Sequence, residues 1–139
     1  MNSIKDEVRI HATAAKAYEA LTRQAGYRAW WNAKAEVFES VGGEAKLYFV
    51  KDGNPVTMRY RIDEMKPNES VRWTCTAHDM ASWVGTSLNW RIKEAGGAVV
   101  VSLDHSGWKD PAPEPVAQGW KHFLSSLKVY LETGTGQPW

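Results

Sequence analysis

From residue 45 to residue 105 the chain keeps switching between apolar and polar side chains with a period of two. That period belongs to strands with one buried and one wet face, because successive β side chains point to opposite sides of a sheet. The runs 45–50, 56–65, 71–77, 82–93 and 98–105 carry it, and Ile4, Asp6, Val8 and Ile10 open the chain in the same way. One face collects Leu47, Phe49, Met58, Tyr60, Ile62, Val71, Trp73, Cys75, Leu88, Trp90, Ile92, Val99, Val101 and Leu103. The other collects Arg59, Arg61, Arg72, Thr74, Asn89, Arg91, Lys93, Ser102 and Asp104. A one-residue slip in any pairing would turn the charged set inward, so register is strongly specified. Turn residues punctuate the runs at Val41-Gly42-Gly43-Glu44, Asp52-Gly53, Lys66-Pro67-Asn68-Glu69 and Glu94-Ala95-Gly96-Gly97. The Asp-Gly pair favours a tight hairpin. Short runs at this spacing predict an antiparallel meander of about six to seven strands with one face packed.

The helices flank this meander. Thr13 caps a predicted helix from 14 to about 24, with Gly26 as its stop. Ala17, Tyr18, Leu21 and Ala25 form its apolar stripe. A second short helix, 27 to about 32, carries the pair Trp30-Trp31. Near the end, Pro111, Pro113 and Pro115 lead into a long helix over 114–133, with Gly134 just beyond. Proline tolerates the first turn of a helix and resists its interior. At about 100° per residue, Val116, Trp120, Phe123, Leu124, Leu127, Tyr130 and Leu131 fall on one side. Gln118, Lys121, His122, Ser125, Lys128 and Glu132 lie opposite. One apolar helix stripe and one apolar sheet face bury each other most simply when the helix lies in the concave side of a curved sheet. The expected class is α+β, with residues 1–139 forming a single domain. A chain of this size buries enough of its surface to need no staple.

Composition removes several function classes. Lys and Arg number 17 against 16 Asp and Glu, a net charge of +1, which argues against a nucleic-acid partner. Apolar runs are far shorter than the ~20 residues a membrane span needs. A single cysteine excludes an internal disulfide, and with no hydrophobic leader the expected compartment is the cytoplasm. Tryptophan is abundant, eight against three Phe. Indoles supply large apolar area with one N–H donor, which suits the wall of a ligand cavity.

Motifs for chemistry are sparse. There is no Gly-rich phosphate loop, no H-E-x-x-H and no C-x-x-C, and Gly134-Thr135-Gly136 lies in a tail, not between strand and helix. His11, His78, His105 and His122 lack metal-ligand spacing, so no metal and no cofactor are expected. Cys75, His78 and Asp79 have the residue types of a nucleophile, a base and an orienter. Cys75 has inward parity beside Trp73, however, and an apolar site keeps a thiol protonated. In Asp104-His105-Ser106 adjacent side chains face opposite sides of a strand and cannot align as a relay. The arginines of the outer face are interrupted by Asp63, Glu94 and Asp104, which reads as a solvated face. Asn68-Glu69-Ser70 matches a glycosylation sequon, without the secretory context that would give it meaning.

The order of strand, two short helices, antiparallel run and long closing helix resembles the START-related (SRPBCC) superfamily and its helix-grip fold. Ala14 to Thr22 followed by Gly26-Tyr27-Arg28-Ala29-Trp30-Trp31 is similar to the branch named after the activator of the heat-shock-protein-90 ATPase. So are Val71-Arg72-Trp73-Thr74, His105-Ser106-Gly107-Trp108, and the stretch from Gly119-Trp120-Lys121-His122-Phe123-Leu124 to Glu132. The resemblance implies a hydrophobic cavity between sheet and long helix, used by relatives for lipids, hormones or polyketide intermediates. Its expected lining is Trp31, Phe49, Tyr60, Trp73, Trp90, Trp120, Phe123 and Leu127. The expected function is binding of a small hydrophobic or amphipathic molecule, with polar contacts from the Tyr60 hydroxyl or a Trp N–H. One alternative is a cyclase-, aromatase- or hydrolase-like enzyme that sets Tyr60 or His78 against a substrate carbonyl. Another is a chaperone-associated interaction domain with a protein partner. No acid–base pair is visible on the inward parity, which favours binding without chemistry. Ligand identity and oligomeric state are not written in the sequence.

Overall fold

The structure, a computed structural model, describes residues 3–51, 53–109 and 111–138, with the side chains of Phe49 and Lys51 outside the described set. Strand β1 (Ile4–Ile10) leads to helices α1 (Ala14–Thr22) and α2 (Gln24–Trp30). Strands β2 (Glu36–Val37), β3 (Glu44–Lys51), β4 (Asn54–Lys66), β5 (Ser70–His78), β6 (Ser87–Ala95) and β7 (Ala98–Ser106) follow, and α3 (Glu114–Thr133) closes the chain. The strands form one antiparallel sheet in the order β1-β7-β6-β5-β4-β3-β2, so every strand from β2 to β7 pairs with its neighbour in sequence. β1 closes the far edge against β7, with Ile4 opposite His105 and Ile10 opposite Val99. Two register shifts in β4, at Arg59/Tyr60 and Ile62/Glu64, bend the strand where the sheet wraps.

The alternation read from the sequence holds. Met58, Tyr60, Ile62, Val71, Trp73, Cys75, Leu88, Trp90, Val101 and Leu103 are all buried, while Arg59, Arg61, Arg72 and Arg91 are exposed. α3 spans the range expected of it. Pro115 stands in its first turn, and Gly134 (φ +89°) ends it with its N–H donating to the Tyr130 carbonyl at 2.7 Å. Trp120, Phe123, Leu124, Ser126 and Leu127 are its buried residues. Lys121 reaches Asp6 at 3.4 Å, and Lys128 donates to the Arg9 carbonyl at 2.7 Å, which fastens α3 along β1.

Three local expectations change. The first helix ends at Thr22, and Gly26 lies inside α2 and does not stop a helix. A Cβ at Gly26 would stand 2.8 Å from the Ala20 Cα, so the glycine lets α1 and α2 approach closely. The second helix accordingly runs from Gln24 to Trp30, earlier than the expected 27–32. The run at 82–93 begins as a 3₁₀ turn, Ala81–Trp83, and becomes a strand only at Ser87. Gly85 there takes φ +90° and Trp83 drops into the core, which breaks the period of two. The N-cap at Thr13 is as expected, with its hydroxyl accepting from the Lys16 N–H at 3.2 Å.

Candidate functional site

The inner sheet face and α3 enclose a continuous assembly of rings. Of the eight residues expected there, Phe49 lies in β3 but its side chain falls outside the described residues. The other seven, Trp31, Tyr60, Trp73, Trp90, Trp120, Phe123 and Leu127, are all buried. Trp31, at the C-cap of α2, stacks flat on Phe123, with ring centres 3.9 Å apart and planes 1° from parallel. Trp120 meets Trp31 edge-on at 5.2 Å and Trp90 at 5.7 Å. Tyr60 and Trp73 form a second group, 5.8 Å apart. The two groups join through Tyr27 and Trp30, which sequence reasoning had not placed in the site. Tyr27 lies 4.9 Å from Trp73 and 5.0 Å from Trp30, and Trp30 meets Trp31 and Trp90. Residues three apart share one side of a helix, so α2 presents Tyr27 and Trp30 together.

Most of these polar tips are satisfied by the fold. Trp30 Nε1 donates to the Ala20 carbonyl at 2.8 Å, Trp31 Nε1 to the Tyr48 carbonyl at 2.9 Å, and the Tyr27 hydroxyl to the Leu21 carbonyl at 2.9 Å. The Tyr60 hydroxyl donates to the Met58 thioether at 3.1 Å, a weak acceptor. Trp90 Nε1 and Trp108 Nε1 are buried and meet no acceptor among the described residues.

At one end the assembly becomes polar. His105 is fully buried at the inward position that follows Val101 and Leu103 on β7. Trp120 Nε1 donates to His105 Nδ1 at 3.1 Å, so Nδ1 carries no proton and Nε2 must. Nε2–H then donates to the Thr86 hydroxyl at 3.0 Å, and that hydroxyl donates to the Trp83 carbonyl at 2.6 Å. Trp108 packs on His105 at 4.8 Å and edge-on to Trp83 at 5.6 Å. Trp83 in turn stacks on His78 at 4.3 Å. Parity along β7 carried the signal for His105. Trp83 and Trp108 sit in irregular segments, where no period exists to read.

The electrostatics of this interior run one way. Burial lowers His105 to about 3, with His78 adding to the effect, and burial lowers His78 to about 4 against the pull of Asp79. Burial raises the Cys75 thiol to about 11 and holds the Tyr60 hydroxyl well above its ordinary range. Each group is neutral at pH 7, and no Lys, Arg, Asp or Glu is buried among the described residues. No cluster of His, Cys, Asp or Glu among them could hold a metal ion, and no helix among them is long and apolar enough to cross a membrane. The Cys75–His78 pairing does not form: the thiol donates to the Ala77 carbonyl at 3.5 Å, and His78 Nδ1 accepts from the Met80 N–H at 2.8 Å.

Comparison with known proteins gives this arrangement its relatives. Residues 11–132 match the family described as Activator of Hsp90 ATPase homolog 1-like protein. The chain is similar to the Aha1 dimer from Colwellia psychrerythraea, at 28% identity and a TM-score of 0.83, over 98% of this chain and 100% of that one. A protein from Chromobacterium violaceum has the same fold at 22% identity and a TM-score of 0.79, over 95% and 99% of the two chains. CalU16 from Micromonospora echinospora shares it at 18% identity and 0.75, over 95% and 77%. No curated protein matches the chain.

Proposed function

The chain belongs to the family of Activator of Hsp90 ATPase homolog 1-like proteins, and we propose that within it this protein binds a small hydrophobic or amphipathic molecule between the inner sheet face and α3. The observation that carries this reading is an interior that is aromatic and uncharged at once. His78, His105, Cys75 and Tyr60 are all held neutral, and rings from β4, β5, β6, α2 and α3 converge on one another. Apolar surface with a few placed polar groups is the usual make-up of a small-molecule site.

Binding without chemistry is favoured over a cyclase- or hydrolase-like reaction in the same space. A general base works best with a pKa near the operating pH, and His78, held at about 4, is far from it. The Tyr60 hydroxyl is committed to Met58 and is harder to ionise than a free phenol. The family description supports a second reading, in which this chain engages an Hsp90-type ATPase as a protein partner. The whole chain acts as one domain, and a reducing cytoplasm suits its one buried thiol.

The test is a titration of intrinsic fluorescence with a library of amphipathic aromatics and fatty acids. Trp31, Trp90 and Trp120 touch one another or Trp30, so occupancy of the space should change emission saturably. Trp120→Leu, checked to be folded by circular dichroism, should weaken the response. If no compound gives a saturable change, the ligand-binding reading fails and the Hsp90-type partner becomes the reading to pursue.

A further inference from the structure

Buried indole N–H groups in folded proteins almost always find an acceptor. Here Trp30, Trp31 and Trp120 do, each from the fold itself. Trp90 and Trp108 meet none among the described residues, although they are only 1% and 5% exposed. Both stand beside the Trp120–His105 pair. The Trp90 ring meets Trp120 at 5.7 Å, and the Trp108 ring lies 4.8 Å from His105. Trp108 is brought there by Gly107, at φ +90°, whose missing Cβ would press on the Gly85 carbonyl at 3.2 Å. The chain thus pays a backbone constraint to turn a second unmatched donor inward.

We infer that the N–H groups of Trp90 and Trp108 are reserved for a bound molecule, and that this molecule is neutral and offers hydrogen-bond-accepting oxygens. The inference deepens the ligand-binding reading and rests on it. A ligand that brought only apolar surface would leave both donors unmatched. A carboxylate would satisfy them but would be buried as an ion, and no Lys or Arg among the described residues is buried to pair with it. His105 cannot serve as the counter-charge, because a proton on Nδ1 would displace the Trp120 N–H that already donates there. A carbonyl, ether or phenol oxygen accepts an indole N–H at about 2.9 Å with no charge to desolvate. The ligand class is therefore the oxygenated neutral aromatic or alicyclic molecule, and fatty-acid anions are excluded from it.

The experiment uses three probes of one shape, 1-tetralone, tetralin and tetralin-1-carboxylate, titrated at pH 7.5 into ¹⁵N-labelled protein while the tryptophan indole resonances are followed. Trp90→Phe and Trp108→Phe assign the two signals. Tetralone, with its one carbonyl oxygen, should move at least one of the two indole protons downfield, and tetralin should move neither. In the variant that removes the shifted indole N–H, tetralone should lose about tenfold in affinity while tetralin changes by less than about twofold. The carboxylate should bind at least about tenfold more weakly than the ketone. Equal losses for ketone and hydrocarbon, unmoved indole signals at saturation, or tightest binding by the carboxylate would overturn the inference while leaving ligand binding intact. Failure of all three probes to bind would count against the ligand-binding reading itself. The wild-type chemical shifts carry the test even if a variant does not fold.

Discussion

His105 sits where a titratable residue is costly, and its cost depends on pH in a direction the structure fixes. Buried between Trp120 and Thr86, it is lowered to about 3, whereas the unfolded chain takes a proton near the ordinary value of about 6.5. Above that value both states are neutral and the histidine costs nothing. Below it only the unfolded state binds the proton, so stability falls as pH drops. By pH 5 the loss from His105 alone should reach ~2 kcal/mol. Urea denaturation at pH 7.5 and pH 5 measures it. His105→Leu should flatten that slope, leaving the part due to His78, and should cost ~1–3 kcal/mol at pH 7.5 because the Trp120 N–H loses its acceptor. A steeper slope in the variant would contradict the burial argument. Cys75 makes the matching case for a thiol. Raised to about 11 and 1% exposed, it should react slowly with Ellman's reagent in the native protein and fast in guanidinium. Rapid native labelling would mean that the β5 interior is open.

At the scale of the element, α3 is the piece whose packing decides whether the sheet has a filled concave side. Leu127 is fully buried at the centre of its stripe. Leu127→Ala should cost about 2–5 kcal/mol, read as a shift in the urea midpoint. A melt unchanged within a degree would sink the packing described here. Two glycines test how tightly the helices are placed. At Gly26 a Cβ would collide with the Ala20 backbone, so Gly26→Ala should destabilise by about 1–3 kcal/mol. At Gly119, inside α3, an added Cβ meets nothing within 4 Å. Gly119→Ala should therefore stabilise by up to about 1 kcal/mol, since alanine is the better helix former. The same substitution should carry opposite signs at the two sites.

For the whole molecule, the contrast lies between the two faces of one sheet. The inner face is aromatic and uncharged. The outer face carries arginines that the fold answers with acids: Arg61 pairs with Asp63 at 2.7 Å and Arg59 with Glu44 at 3.6 Å, while Asp63 also accepts from the Thr74 hydroxyl. Such exposed pairs add little stability, but they interrupt the positive charge of this face. Binding to duplex DNA at 150 mM salt should therefore be no tighter than the non-specific level of ~10⁻⁴ M, measured by fluorescence anisotropy. A sub-micromolar, steeply salt-dependent constant would mean that the outer face presents a cationic track after all. On the inner side, a ligand burying ~300 Å² of apolar surface gains ~7.5 kcal/mol at ~25 cal/mol per Å². Association costs of at least ~4 kcal/mol leave only millimolar affinity. Under the proposed ligand-binding reading, the rest would have to come from polar contacts.

The sequence by itself determined which residues share a face, because periods of 2 and 3.6 act residue by residue. Leu88, Trp90 and Ile92 had to point together on β6, as did Trp120, Phe123 and Leu127 on α3, whatever lay opposite. It also determined the limits of α3, since Pro115 and Gly134 act through their own backbone dihedrals. Local rules failed where a neighbour from another element set the outcome. Gly26 reads as a stop but serves the contact with Ala20, and Trp83 and Trp108 occupy segments without a period. The tertiary structure alone decided that Tyr27 and Trp30 bridge two groups of rings, that His105 is held in one tautomer between Trp120 and Thr86, and that the buried Trp90 and Trp108 indoles meet no acceptor among the described residues. Each of these depends on distances between atoms far apart in the chain, and a hydrogen bond made or missed within an ångström has no counterpart in a pattern of apolar and polar letters.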